Sequence, residues 1–283
     1  MALDIKRHAK SEESARKFLE RFCWPAGKSF CPRCGTAKPY TLAGGRLRCS
    51  GCRYTFHALT GRFIGLAGLS PRQWLRLLRL FADDETVRSI ASRLGLAYNT
   101  AYKAATVVRL AILAASRNGP GILQSPLGHE LGFNGRVLHP RPAAEPQAAV
   151  PVFGILERDG VVVIDYLPDM VPEELLHDSR MPLSRLGAII YSDRSLSNET
   201  LVACGVECLV RRFEEMAGRA PTVHPRQSGF WSYARGRLVR FHGITARKFP
   251  LYLKELEFRY NHLGQDILPI LLENICSLVP DLN

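Results

Sequence analysis

Four cysteines stand in two pairs, Cys31-x2-Cys34 and Cys49-x2-Cys52, separated by fourteen residues in CPRCGTAKPYTLAGGRLRCSGC. Thiolates at this spacing can meet at the tips of two hairpin-like turns and close a tetrahedral zinc site. Gly35 and Gly51 supply the permissive backbone that such turns need. A segment this short has no adequate core, so the metal must hold it folded, and binding free energies of about 10–16 kcal/mol are available for that. Four thiolates leave no open coordination position, so the zinc is structural. The other cysteines are Cys23, Cys204, Cys208 and Cys276. Cys204 and Cys208 lie four apart on an expected helix; they could be ligands, but small buried hydrophobes are the commoner case.

The elements around this ribbon are helical. Ser11 to Phe22 carries Ala15, Phe18, Leu19 and Phe22 at helical spacing. SPRQWLRLLRLFADD has Ser70 as N-cap and Pro71 in its first turn, with Trp74, Leu77, Leu78 and Phe81 as the apolar stripe. Next comes ETVRSIASRLGL, ended by Gly95, and AYNTAYKAATVVRLAILAA resumes the helical period. Helix, short glycine turn, helix is the helix-turn-helix pattern. Its second helix would offer Tyr98, Asn99, Thr100, Tyr102 and Lys103 to the major groove. Arg46, Arg48 and Arg53 of the ribbon add basic contacts. Charge supports a polyanion partner. Residues 1–117 hold 21 Lys/Arg against 7 Asp/Glu, whereas 118–283 hold 17 against 19, so the whole excess lies in the first two-fifths of the chain.

Asn118-Gly-Pro-Gly and Gln124-Ser-Pro read as a break and a linker. Beyond them the period becomes that of strands. HELGFNGRVL is one candidate, and VPVFGILERDGVVVIDYLP is two strands turned at Arg158-Asp159-Gly160. GAIIYSDRS is a short strand ending in Asp193, and SNETLVACG is read as a helix opening at Ser197. Helices follow in ARKFPLYLKELEFRYNHL and DILPILLENICSL. The fold class is therefore multi-domain α/β: an N-terminal helix and zinc ribbon (1–66), a helix-turn-helix (67–118) and a ribonuclease H-like domain (119–283). No run of 18 apolar residues appears, and MALDIKRHAK lacks a secretory h-region, so no membrane contact is expected.

Together these segments resemble bacterial insertion-sequence transposases of the DDE type that begin with a zinc ribbon, the ISXO2-like family. The resemblance rests on YTFHALTGRFI after the ribbon, on VPVFGILERDG, IIYSDRS and GFWSYARGRLVRFHGI, and on YLKELEFRYNHL. It implies a core that holds two Mg²⁺ ions between three carboxylates, to activate water or a 3′-hydroxyl and stabilise the leaving oxygen. Aligned on Phe133-Asn134-Gly135, the first Asp falls on His129 and the following Glu on Glu130. The second Asp falls on Asp193, and the last acid, just before GFW, falls on Ser228. A shifted alignment does not restore that acid, because no Asp or Glu lies between Glu215 and Glu255. Mg²⁺ prefers carboxylate and water oxygens, and Asp193 alone cannot supply two ions. Glu130 would have to turn to the other strand face, and Asp165 would have to face inward. His129, Glu130, Asp193 and His224 could instead gather one transition metal, though packing in a former site is the plainer reading. Arg235, Arg237 and Arg240 line either a DNA-facing groove or a solvated face.

The expectation is a transposase-derived, domesticated DNA-binding protein without nuclease activity, acting in transcriptional control. Structural zinc is its cofactor, and magnesium is not expected. Its partners are double-stranded DNA, a second copy in a homodimer, and a protein docked on the C-terminal domain. Its location would be cytoplasmic, on the nucleoid. The alternatives are an active DDE-type transposase with an unusual ligand set, and a zinc-ribbon protein-interaction module.

Overall fold

The computed structural model describes residues 5–24, 27–125, 127–128, 131, 152–158, 161–166, 191–193, 199–203, 230, 233–234, 237 and 248–280. These divide into two compact units. The first gathers the described residues of 1–115 and 264–283, the second those of 116–263.

In the first unit, a short helix α1 (Ile5–His8) precedes α2 (Glu12–Cys23). Ser11 caps α2 by accepting from the Ser14 N–H at 3.1 Å, and Glu12 and Glu13 complement the positive helix end. Ala15, Phe18, Leu19 and Cys23 form its buried face. The ribbon follows as three two-residue strands, β1 (Tyr40–Thr41), β2 (Leu47–Arg48) and β3 (Thr55–Phe56), antiparallel in the order β1-β2-β3. Helix α3 (Pro71–Ala82) opens on a capping box between Ser70 and Gln73, with Pro71 at its first position. The Glu12 carboxylate accepts from the Ser70 hydroxyl at 2.7 Å and the Arg72 N–H at 3.0 Å, fixing the start of α2 on the start of α3. Helix α4 (Val87–Leu94) ends on Gly95, whose φ of +64° makes the left-handed cap that glycine tolerates. Helix α5 (Tyr98–Ala115) then runs 18 residues and is buried from Ala104 through Leu113.

The first unit is completed from the far end of the chain. Helix α8 (Leu268–Cys276) packs on α2, α3 and α5 and buries Leu271, Leu272 and Ile275. The sequence reading ended the N-terminal domains at 118 and assigned 264–283 to the third. The contacts instead group this last segment with the ribbon and the helices. The reason is apolar area, since α8 covers hydrophobic surface that α2, α3 and α5 cannot cover among themselves.

The second unit opens with α6 (Gly119–Gln124), a short helix where a linker was expected; Pro120 sits in its first turn, where its missing N–H costs nothing. Strands β4 (Val152–Arg158), β5 (Val161–Tyr166), β6 (Tyr191–Asp193) and β7 (Glu199–Ala203) form a sheet in the order β5-β4-β7-β6, and every pairing is antiparallel. The expected hairpin is present, with Ile155 opposite Ile164. The expected helix after Ser197 is not: residues 199–203 are β7, wedged between β4 and β6. Thr200, Leu201 and Val202 suit a pleated surface better than a helix, and pairing on both sides outweighs the cap signal of Ser197.

Helix α7 (Phe249–Asn261) closes the β5 edge of this sheet with side chains. The Asn261 amide accepts from the Val162 N–H and donates to its carbonyl, both at 2.7 Å. The Glu257 carboxylate accepts from the Ile164 N–H at 2.8 Å. Lys254 Nζ reaches the Ile164 carbonyl at 3.1 Å, the Asn118 amide oxygen at 2.9 Å and Glu257 itself. An open edge that would otherwise recruit another strand is thus capped from within. Burial pushes the Lys254 ammonium down and the Glu257 carboxyl up, and their mutual attraction opposes both shifts. Among the described residues, no helix is long and apolar enough to cross a membrane.

Candidate metal centre and nucleic-acid face

The two cysteine turns have the same backbone. In the first, the Cys31 N–H donates to the Thr36 carbonyl at 2.9 Å, the Gly35 N–H to the Cys31 carbonyl at 2.9 Å, and the Arg33 N–H to Cys31 Sγ at 3.4 Å. In the second, the Cys49 N–H donates to the Tyr54 carbonyl at 2.9 Å, the Arg53 N–H to the Cys49 carbonyl at 3.2 Å, and the Cys52 N–H to Cys49 Sγ at 3.4 Å. The left-handed position therefore recurs four residues after each leading cysteine. Gly35 fills it with φ +73°, and Arg53 fills it with φ +60°. Gly51, expected to supply that freedom, has another role. A Cβ there would meet Thr36 Oγ1 at 2.8 Å, and that hydroxyl lies 3.1 Å from Cys34 Sγ. Gly51 leaves room for a hydroxyl that serves a metal ligand.

The four ligand sulfurs lie within 4.8 Å of one another. Cys31 Sγ is 3.6 Å from Cys52 Sγ, and Cys34 Sγ is 3.5 Å from Cys49 Sγ. A zinc tetrahedron with bonds of about 2.3 Å has edges of about 3.8 Å, so the cage fits the ion. Hydrogen bonds with the Thr36 hydroxyl and backbone bring the Cys34 thiol down to about 6. A hydrogen bond from the Tyr54 backbone draws Cys52 down, but burial and the three neighbouring thiols outweigh it and push Cys52 up to about 11. Zinc must displace those protons, so loading releases acid. Cys31, Cys49 and Phe56 form a small core with Trp24, Leu47, Cys52 and Tyr54 against it, too little to hold the segment without the metal. The site is a structural zinc centre.

Around it, Arg46 and Arg53 are exposed and Arg48 is half-buried, its Nε enclosed without a hydrogen-bond partner among the described residues. In the first two turns of α5, Tyr98, Asn99 and Lys103 are exposed, while Thr100 and Tyr102 are half-buried. Tyr98 is 52% exposed and stacks on Tyr102 with ring centres 6.0 Å apart. No acid stands in the first turn of α5. Exposed Arg76 donates to the Arg93 carbonyl at 3.4 Å and thereby ties α3 to the end of α4.

The positions that the resemblance aligns with catalytic acids divide differently. Asp193 is the last residue of β6, with its Cα paired to that of Thr200. His129, Glu130 and Ser228 lie outside the described residues, as do His224, Cys204, Cys208, Arg235 and Arg240. Asp165 is exposed on β5, and its Oδ1 accepts from the Asn118 amide at 2.8 Å and the Tyr166 N–H at 2.9 Å. Arg237 stacks over the Tyr233 ring at 4.6 Å. Residue-type reasoning missed Thr36, and it named Arg53 as a basic contact without its left-handed turn position. The repeat of the turn four residues after each leading cysteine would have pointed to Arg53.

A four-thiolate ribbon on a helical unit, followed by an antiparallel sheet backed by a helix, defines a zinc-ribbon protein of mixed helix and sheet. Residues 10–55 match the transposase zinc-ribbon domain, and residues 122–261 match the ISXO2-like transposase domain. The chain belongs to the IS1595-type transposase family with an N-terminal zinc ribbon. No curated protein and no solved structure matches it.

Proposed function

We propose that this chain is a transposase-derived protein that binds double-stranded DNA, has lost strand cleavage and joining, and acts as a domesticated transcriptional regulator. The observation that carries the loss of chemistry is the absence of any Asp or Glu between Glu215 and Glu255, the stretch in which the family's last catalytic acid belongs. Ser228 offers a neutral hydroxyl there and His129 an imidazole at the first position. Two hard cations beside a scissile phosphate need more negative charge than Asp193 supplies. DNA binding is supported by the one-sided charge of residues 1–117 and by the exposed start of α5 after the Gly95 turn. In this reading α4 and α5 form a helix-turn-helix. Tyr98, Asn99, Thr100, Tyr102 and Lys103 read base edges, and Arg46, Arg48 and Arg53 hold phosphates. The second half, ribonuclease H-like in ancestry, serves homodimerisation or protein docking.

The test is a pair of assays on the zinc-loaded full chain. Duplex DNA should be retained with steep salt dependence, and no Mg²⁺- or Mn²⁺-dependent cleavage or strand transfer should appear. Metal-dependent cutting that Asp193→Ala abolishes would establish the second reading, an active transposase; the retained acid at the end of β6 favours that reading.

A further inference from the structure

Outside the ribbon, the first unit holds a second pair of thiols. Cys23 ends α2 and Cys276 ends α8, and both are fully buried. Their sulfurs meet at one carbonyl: Cys23 Sγ lies 3.5 Å and Cys276 Sγ 3.6 Å from the Leu19 oxygen. The Arg62 guanidinium is enclosed beside them, with a residue exposure of 3%. Its Nε donates to the Ala58 carbonyl at 2.8 Å and its Nη1 to the Cys276 carbonyl, and the cation lies 4.7 Å over the Trp24 ring. Its Nη2 has no hydrogen-bond partner among the described residues. No carboxylate among the described residues pairs with Arg62; burial pulls its guanidinium down, and ionisation of the neighbouring thiols opposes that.

We propose that Cys23 and Cys276 are a redox-active dithiol, which peroxide converts to a disulfide that clasps α8 to α2. The two thiols are unequal in the sense this requires. The hydrogen bond from Cys276 draws Cys23 below the ordinary thiol value, against burial and with help from Arg62, while the same bond and burial push Cys276 well above it. The Cys23 sulfur attacks one oxygen of hydrogen peroxide and the O–O bond breaks. Hydroxide leaves and takes up the proton that Cys23 lost, giving a sulfenic acid and one water. The Cys276 sulfur then attacks the Cys23 sulfur, and the S–O bond breaks. The hydroxyl leaves with the Cys276 proton as a second water, so two thiols have given two electrons and two protons to one peroxide. Burial makes the reaction wait for local opening of the α8 end, so it is slow.

Zinc-loaded full-length protein is exposed to hydrogen peroxide while zinc release is followed with a chromogenic chelator. It is then digested without reduction and mapped by mass spectrometry. The expected result is a Cys23–Cys276 cross-linked peptide, reversed by dithiothreitol, formed while zinc is retained and absent from Cys23→Ser and Cys276→Ser. Arg62→Gln should slow its appearance several-fold, and Arg62→Lys should restore most of the rate. Recovery of both residues as free thiols, sulfinic acid on either without a cross-link, or cross-links that involve only ribbon cysteines would overturn the proposal. The wild-type map decides it even if an Arg62 variant fails to fold.

Discussion

At the scale of single residues, the two cysteine turns impose one backbone on different side chains, and that allows sharp substitutions. Arg53 adopts φ +60°, a conformation that costs a residue with a Cβ about 1–2 kcal/mol relative to glycine. Arg53→Gly should therefore stabilise the zinc-loaded ribbon by about 1 kcal/mol in competitive metal titration. The same change should weaken DNA binding, because it removes an exposed cation; if that cation meets a phosphate, the salt slope falls by about 0.9. Gly51→Ala acts elsewhere. Its Cβ would drive Thr36 Oγ1 away from Cys34 Sγ and remove a hydrogen bond that favours the thiolate, so zinc should be held less tightly. Competition with a chromogenic chelator reads that loss.

At the scale of elements, α7 joins a buried charge pair to a sheet edge. Glu257 is pushed up and Lys254 down by burial, so the sign of each contribution to stability follows. The fold holds the Glu257 proton more tightly than the unfolded chain does, so this stabilisation is present at low pH and is lost as pH rises through the raised value. The fold holds the Lys254 proton less tightly, so its contribution grows as pH rises through the lowered value toward that of free lysine. Between the two titrations both groups are charged and burial costs most. Lys254→Met alone leaves a buried carboxylate at the β5 edge and should cost about 3–5 kcal/mol in chemical denaturation, whereas Lys254→Met with Glu257→Gln should recover most of the loss and flatten the pH profile. What was legible here and what was not divide on physical lines. The cap at Ser70, the stop at Gly95 and the hairpin through Ile155 and Ile164 are local events with local signatures. β7 is not, because its strand state depends on partners on both sides rather than on Ser197 before it. Nor could sequence spacing show that Asn261, Glu257 and Lys254 on one helix meet Val162 and Ile164 some ninety residues away. The four zinc ligands were legible because the metal demands a fixed spacing. Thr36 was not, because a hydroxyl becomes a partner only once Cys34 has been placed.

At the scale of the molecule, charge and connectivity make separate predictions. With the excess of Lys/Arg confined to residues 1–117, duplex binding should weaken linearly on logarithmic axes as salt rises, with a slope of about −0.9 per phosphate neutralised. Anisotropy titrations across salt concentrations read this slope, and a flat response would exclude the phosphate-contact mode. A fragment of residues 1–115 lacks Leu271, Leu272 and Ile275, whose burial is worth about 1.5–3 kcal/mol each. It should melt less cooperatively than the full chain, expose apolar surface to a hydrophobic dye, and recover when a peptide spanning 264–283 is added.

The return of α8 to the first unit also orders events during synthesis. The ribosome makes the ribbon and α2 to α5 first, yet the helix that seals their apolar face is made more than 150 residues after α5 ends. Until Leu268–Cys276 has emerged, the nascent N-terminal half carries an uncovered hydrophobic flank and waits, in effect, for its own distant lid.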